Sequence, residues 1–429
     1  MLYDGFMPEK FVINGGNPLK GEIEVRGSKN AATPILAATL LTDQPCIIDN
    51  IPLVEDVFRM IEILEDLGAD VEWLDKRKIR VQAKKITSNI KNKSLVTKMR
   101  SSVLIIGPLL ARLGMAEINK PGGCIIGVRP IDVHLNAFRD LGVIIDHTND
   151  FYSLKTDEIK GGHIVLDEFS VTATENVMMA AALCSNKTII DLAACEPHVQ
   201  DLAVFLKKMG VRIKGEGTHT IEIIGNKELK GAKHKIQYDY VEAGTYILMA
   251  STVGGCVTVK NTPVGSLQLL LKDLKSFGAN VEIIDNETVL VKESSNMRMD
   301  SIQALPYPGI PTDLQSMFGV LATQTIDSTL IHDPLYEGRL KYLEELNKMG
   351  AKIIVCDPHR AIISGPTQLY GADLRTFDLR GGAALISAGL TAKGTTTIYN
   401  MEQIDRGYEK IEERLQGIGA QIKRIISES

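Results

Sequence analysis

The stretch Pro121 to Asp132, PGGCIIGVRPID, combines a reactive side chain with residues that would expose it. Gly122 and Gly123 open left-handed backbone conformations at little steric cost, so Cys124 is expected on a loop. Lys120 just before the proline and Arg129 five residues beyond the sulfur set positive charge beside it. That setting favours the thiolate and therefore a nucleophile. Taken alone, a loop cysteine reads more readily as a small apolar residue closing the strand AEIN, and the rest of the chain must decide. Cys195, in DLAACEPHV, is the rival loop thiol. It lacks glycines and a basic neighbour, and Glu196 beside it disfavours the thiolate. Cys46, Cys184, Cys256 and Cys356 lie in or beside apolar runs and read as small core residues. None of the six cysteines forms a CxxC pair, and neither a metal-ligand cluster nor a nucleotide fingerprint is present. Neither a metal nor an organic cofactor is expected.

The elements that must position such a loop belong to a long chain. With 429 residues, 44% of them hydrophobic and 24% charged, it exceeds one ordinary core, and two domains are the prior. A net charge of −5 argues against a general nucleic-acid or anionic-membrane surface, so any anion must be held by a local site. The longest apolar run, Val103 to Ala111, is too short to span a bilayer and stops at Arg112. The start, MLYDGFMPEK, lacks the basic and apolar regions of a signal peptide, and a cytoplasmic protein is expected.

A repeat organises the whole chain. A helix-end phrase, Leu/Phe-x-x-apolar-Gly running into a strand, recurs as ILEDLGADVEW, AFRDLGVIID, FLKKMGVRIKG, DLKSFGANVEI, ELNKMGAKIIV and RLQGIGAQIKRI. Its glycines, at 68, 142, 210, 278, 350 and 419, read as helix C-caps. Before each comes an apolar helix and a second strand, beginning with AATPILAATLLTDQPCII and ending with ALISAGLTAKGTTTI. These helices are apolar all round and should be buried. Six units, each strand, helix, strand, helix, strand, give an α/β protein of two homologous domains. The first is 29–237, carrying the cysteine loop 121–132. The second is 1–28 plus 238–429, with the strand KFVING crossing into it.

In every unit the buried helix follows a polar cluster: GSKNAA, TKMRSS, SVTATE, YDYVEAG, IPTDLQ and FDLRGG. Thr172 with Glu175 and Thr312 with Gln315 have capping-box spacing, and Asp239 with Glu242 is a looser version. Helix N-termini favour anions, so parallel buried helices would turn an anion-binding face outward. The loops after the next strand, with Cys124, Arg129, Glu196, Arg339 and Arg406, should share that side.

This architecture, with GSKNAA, PGGCIIGVRPIDVH, PTDLQ, DLR and IDRGYE, resembles the UDP-N-acetylglucosamine enolpyruvyl transferases over essentially the whole chain. The cysteine loop is the specific part, since the related shikimate-pathway transferases share the six units without it. The resemblance implies an inside-out α/β barrel in each domain, closing over substrates. It implies transfer of the enolpyruvyl group of phosphoenolpyruvate to the 3′-hydroxyl of UDP-N-acetylglucosamine, with phosphate released, as the first committed step of peptidoglycan synthesis. Neither nucleic acid nor membrane is expected as a partner, and the chain is expected to act as a monomer.

The resemblance also assigns residues. Lys29 would contact phosphoenolpyruvate and Asn30 the sugar nucleotide. Arg100, Arg129 and Arg406 belong to the phosphoenolpyruvate site and its surroundings. Cys124 matches the cysteine that forms an adduct with phosphoenolpyruvate and is alkylated by fosfomycin, and Asp313 the base at the sugar hydroxyl. Pro130, Ile131, Asp132, His134, Ser170 and Val171 fall on the uridine side. Glu196, Asp239, Leu335, Glu337, Asp378 and Arg380 are further cleft residues. Leu53 and Glu168 stand where other members carry lysines, and Thr172 replaces a glycine. Two other readings stay open: a 3-phosphoshikimate 1-carboxyvinyltransferase, which Cys124 argues against, and a silent paralogue that binds sugar nucleotide or a protein partner.

Overall fold

A computed structural model describes residues 9–120, 131–148 and 151–426. The described chain divides into two compact units, one built from residues 27–237 and the other from the N-terminal segment up to Arg26 with everything from Tyr238 onward. Each has its own apolar core.

All six repeat glycines adopt left-handed φ, between 86° and 112°. In each case the next residue's N–H reaches back five residues to a helical carbonyl: Ala69 to Leu64, Val143 to Phe138, Val211 to Leu206, Ala279 to Leu274, Ala351 to Leu346 and Ala420 to Leu415. This is the Schellman closure, which satisfies an orphan carbonyl and launches the following strand.

That strand does more than end the unit. In five repeats it turns back as a hairpin, as Asp70–Asp75 does with Lys78–Gln82, giving one strand beyond the five elements read from the sequence. The hairpin's second strand pairs antiparallel with the strand after the buried helix, as Lys78–Gln82 does with Cys46–Asp49. That central strand pairs parallel with a leading strand, for example Ser301–Gln303 beside Asp327–His332. Among the described residues there are five such four-stranded sheets and one of three strands, whose leading strand is reduced to the bridge Asn89 to Glu117. In the last repeat the hairpin strand is missing from its usual place. Glu9–Asn14, carrying KFVIN, fills it, antiparallel to both Thr395–Tyr399 and Gln421–Ile426. Likewise Lys233–Lys235, at the far end of its unit, supplies the leading strand beside Cys46–Asp49.

The central helices are buried as their all-round apolarity requires. Tyr240–Val253 is buried continuously from Tyr240 to Thr252 and packs against Thr312–Ala322 and Leu379–Thr391. Close approach needs small residues: a Cβ on Gly319 would fall 1.9 Å from the Tyr342 hydroxyl, and one on Gly244 2.5 Å from Leu314. In the other unit the central helices are Lys29–Ala38, Ile106–Leu113 and Val171–Ala181. Their C-terminal ends, Leu41, Leu113 and Leu183 among them, line one cavity of ≈ 1060 Å³. The three helices therefore run in parallel, and their N-termini share the opposite end.

Strand parity corrects two cysteine assignments. Cys46 and Cys184 are core residues, but Cys256 and Cys356 are exposed. Val257 and Val259 face inward from Gly255–Lys260, so Cys256 must point out.

Candidate active site

In the unit carrying Tyr240–Val253, the starts of all three central helices converge on two buried guanidinium groups. Asp239 caps the first helix, accepting from Val241 N at 2.8 Å and Glu242 N at 3.1 Å. Asp378 caps Leu379–Thr391 through Arg380 N at 2.9 Å and Gly381 N at 3.0 Å. Asp313, in the first turn of Thr312–Ala322, instead takes Arg339 Nη2 at 2.7 Å and Arg380 Nε at 3.0 Å. Arg339 also reaches Asp378 Oδ1 at 3.4 Å. The arginine side chains are 4% and 3% exposed, whereas Asp313 is 26% exposed and is the member a substrate can reach. Burial works against the charge on Arg380, but Tyr408 and the carboxylates of Asp313 and Asp239 hold it above the ordinary arginine value. Asp239 is pushed up by burial, only partly offset by Arg380. One guanidinium nitrogen, Arg380 Nη1, is buried without a hydrogen bond.

The other unit orders its helix starts with weaker contacts. Ser28 caps Lys29–Ala38, and Lys29 Nζ lies 2.9 Å from Oδ2 of the buried Asp56. Ser170 caps Val171–Ala181 through Ala173 N at 3.3 Å. Both capping boxes are thereby corrected: the N-caps are Ser170 and Pro311, while Thr172 and Thr312 are already helical and their hydroxyls bond elsewhere. Thr172 Oγ1 lies 3.0 Å from His134 Nε2, and Asn176 Nδ2 lies 3.0 Å from His134 Nδ1. Asn176 also takes Gly107 N and gives to Val103 O, which fixes its amide. His134 Nδ1 is then the acceptor, and its proton sits on Nε2, donated to Thr172. Thus His134, on Asp132–Asp140, is a buried residue whose ring is held by protein groups. Glu175 is buried and raised well above the usual carboxyl range, first by burial and then by the charge of Glu196. The Cys195 thiol beside them is pushed up to about 11 by burial and by Glu196. Arg100 and Asp132 both act on the Tyr152 phenol, which burial and Asp132 raise and Arg100 lowers.

A model of the EPSP synthase (3-phosphoshikimate 1-carboxyvinyltransferase) family matches residues 13–415. The chain belongs to that family. Within it, the chain is 44% identical to a UDP-N-acetylglucosamine 1-carboxyvinyltransferase of Halothermothrix orenii, covering 97% of this chain and 99% of that one. It is 41% identical to the namesake of Finegoldia magna, over 95% and 96% of the two chains. Among solved structures, the enolpyruvyl transferase NikO from Streptomyces tendae superposes with a TM-score of 0.88 at 22% identity, covering 98% of this chain and 100% of that one. An EPSP synthase from Acinetobacter baumannii gives 0.74 at 18%, over 97% and 100%. The fold is the enolpyruvyl transferase fold.

On this family fold the assigned residues fall into separate groups. Among the described residues, Asp239, Asp313, Asp378 and Arg380 form an interlocked cluster with Arg339. Leu335 and Glu337 are exposed on the loop leading to Arg339, and Arg406 follows the short helix Glu402–Asp405 with Nη1 3.4 Å from Gln403. Lys29 and Asn30 open the first central helix, Ile131 and Asp132 the helix of His134, and Ser170 and Val171 the helix of Glu175. Cys124, Arg129 and Pro130 lie outside the described residues. Of the departures, Leu53 is half-buried, Glu168 is exposed, and Thr172 is the partner of His134. Sequence reasoning gave no role to Asp56 or Asp333, read Thr312 only as a helix cap, and placed Arg339 only on its loop. Asp56 reads as an ordinary acid in a helix's first turn, and nothing local signals that it meets a lysine 27 residues earlier.

Proposed function

We infer that the chain transfers the enolpyruvyl group of phosphoenolpyruvate to the 3′-hydroxyl of UDP-N-acetylglucosamine, releasing phosphate, in the cytoplasm and as a step of peptidoglycan synthesis. The observation that carries this reading is the full-length identity of 40–44% to proteins named for that transfer. Likeness to EPSP synthase structures, at 18%, speaks for the fold alone.

The reaction needs a proton placed on the methylene carbon of phosphoenolpyruvate, a proton taken from the sugar hydroxyl and a new bond from that oxygen to the enol carbon. Loss of phosphate and of a methyl proton then restores the double bond. Asp313 is assigned the hydroxyl proton, being a carboxylate whose orientation two guanidinium groups fix. Lys29, oriented by Asp56, and Arg406, with Arg100 and Arg129, supply positive charge for the carboxylate and phosphate. Cys124 is assigned the covalent adduct. His134 ties its helix start to that of Thr172 and, with Asp132 and Ser170, is assigned the uridine side. Neither a metal nor a cofactor enters the reading. Phosphate release from phosphoenolpyruvate is expected with UDP-N-acetylglucosamine and not with shikimate 3-phosphate; the reverse dependence would overturn the assignment.

A further inference from the structure

Among the three helix starts around Arg339 and Arg380, that of Thr312–Ala322 differs in chemistry. Asp239 and Asp378 spend their carboxylates on backbone N–H groups, whereas the N-cap Pro311 makes no side-chain cap and the polar residues after it turn elsewhere. Thr312 Oγ1 accepts from Arg339 Nε at 3.0 Å and donates to Asp333 Oδ2. The direction of both bonds is forced, because a guanidinium only donates and a hydroxyl has a single proton to give.

Asp333 is fully buried and anchored on its remaining sides. Its Oδ1 accepts from Leu335 N at 3.0 Å and Tyr336 N at 3.3 Å. Its own N–H reaches His359 O at 2.8 Å, and its carbonyl lies 2.7 Å from His359 Nδ1. Arg339 is then gripped at Nε by a fixed hydroxyl while Nη2 holds Asp313. The other hydrogen-bond contact, Nη1 to Asp378 at 3.4 Å, is too long to set the fork, and the Tyr336 ring, 5.7 Å from the guanidinium carbon, gives it a face to lie on but no directional anchor.

We propose that Asp333 and Thr312 are positioning residues that aim the Arg339 guanidinium and, through it, the carboxylate of Asp313. Neither touches the reacting atoms. The inference rests on Asp313 acting at the acceptor hydroxyl, as in the function proposed above. Removing the Nε anchor frees the fork to rotate, and a misplacement of about 1 Å at a reacting group costs up to about 100-fold in rate.

The test compares Thr312→Val, which keeps the branched shape and loses the hydroxyl, with Thr312→Ser, which keeps the hydroxyl. Steady-state phosphate release is measured alongside thermal melting of the full chain. Thr312→Val is expected to lower kcat about 10-fold or more with KM for UDP-N-acetylglucosamine within about twofold, and Thr312→Ser to restore it. Asp333→Asn should behave like Thr312→Val, since an amide cannot accept on both of its arms. In an Arg339→Lys background Thr312→Val should cost little further, because the bond it removes is already gone. The proposal is overturned if Thr312→Val keeps kcat within twofold, if its loss is fully additive with Arg339→Lys, or if rate falls only in step with the folded fraction. The wild-type chain assayed with both acceptors separates failure of this relay from failure of the functional reading.

Discussion

Both units bring the starts of three buried helices to one end, yet they hold those starts with different chemistry. Around Arg339 and Arg380 the lock is ionic and buried: Asp239, Asp313 and Asp378 surround two guanidinium groups. Around Lys29 and His134 the contacts seen among the described residues are mostly between neutral groups, a histidine, an asparagine and threonine and serine hydroxyls, beside the pair of Lys29 with Asp56. A buried ionic lock has a fixed geometry and a high cost of partial removal, because the partners left behind are unpaired charges. A hydrogen-bonded lock gives more cheaply. The same scaffold therefore carries one helix-start face that is set in advance and one that can adjust.

The largest expected effect follows directly. Arg380→Met should destabilise its unit by about 3–5 kcal/mol, since Asp313 and Asp239 lose a buried counter-charge. Lys29→Met should cost about 1.5–3 kcal/mol, the range for one charged hydrogen bond. Denaturant unfolding that found equal losses would dissolve the contrast between the two faces.

The second prediction sharpens it through pH. Glu175 is 1% exposed, one of its oxygens lacks a hydrogen bond, and its carboxyl is raised by burial and by Glu196. A carboxyl raised in the folded state contributes its full stability below the unfolded value and loses it as pH rises through the folded value. Glu175→Gln should therefore match wild type below the ordinary value of 4.5 and be the more stable of the two at pH 8. Melting curves across that range that stay parallel would show that Glu175 is not a charge burden on this face.

The smallest effect concerns the turn after the central strand. Asn50, Asn261 and Asn400 take left-handed φ there, and Leu192 does the same at 56°. Asparagine tolerates this conformation and leucine does not, so Leu192→Asn should stabilise by about 1 kcal/mol. A lower melting temperature would mean that the partly exposed leucine side chain contributes more than its backbone strain costs.

What the sequence made legible were features imposed by local geometry. A glycine closing an amphipathic helix four residues after a core position has few alternatives, and the six of them revealed the repeat. KFVING was also visible as a strand without a place in its own repeat. Features that depend on distant partners stayed hidden. Thr172 and Thr312 have the right types and spacing for capping, but a residue one or two positions earlier takes the cap and frees the hydroxyls for His134 and Arg339. Cys256 and Cys356 sit among valines and isoleucines, and only strand parity turns them outward. The cluster on Asp313 joins side chains 26 and 67 residues away, a distance over which no local pattern operates.

The pairing of Glu9–Asn14 with Gln421–Ile426 has a consequence for synthesis. A strand made among the first residues waits for a partner roughly 400 residues later, about 20–80 s at bacterial-to-slow translation rates of roughly 5–20 residues per second. The unit of residues 27–237 needs nothing beyond Lys233–Lys235 to close its sheets, so it can fold during that wait. The strand KFVIN meanwhile stays an unpaired apolar edge on the growing chain, and the unit it belongs to is finished only when the last repeat arrives.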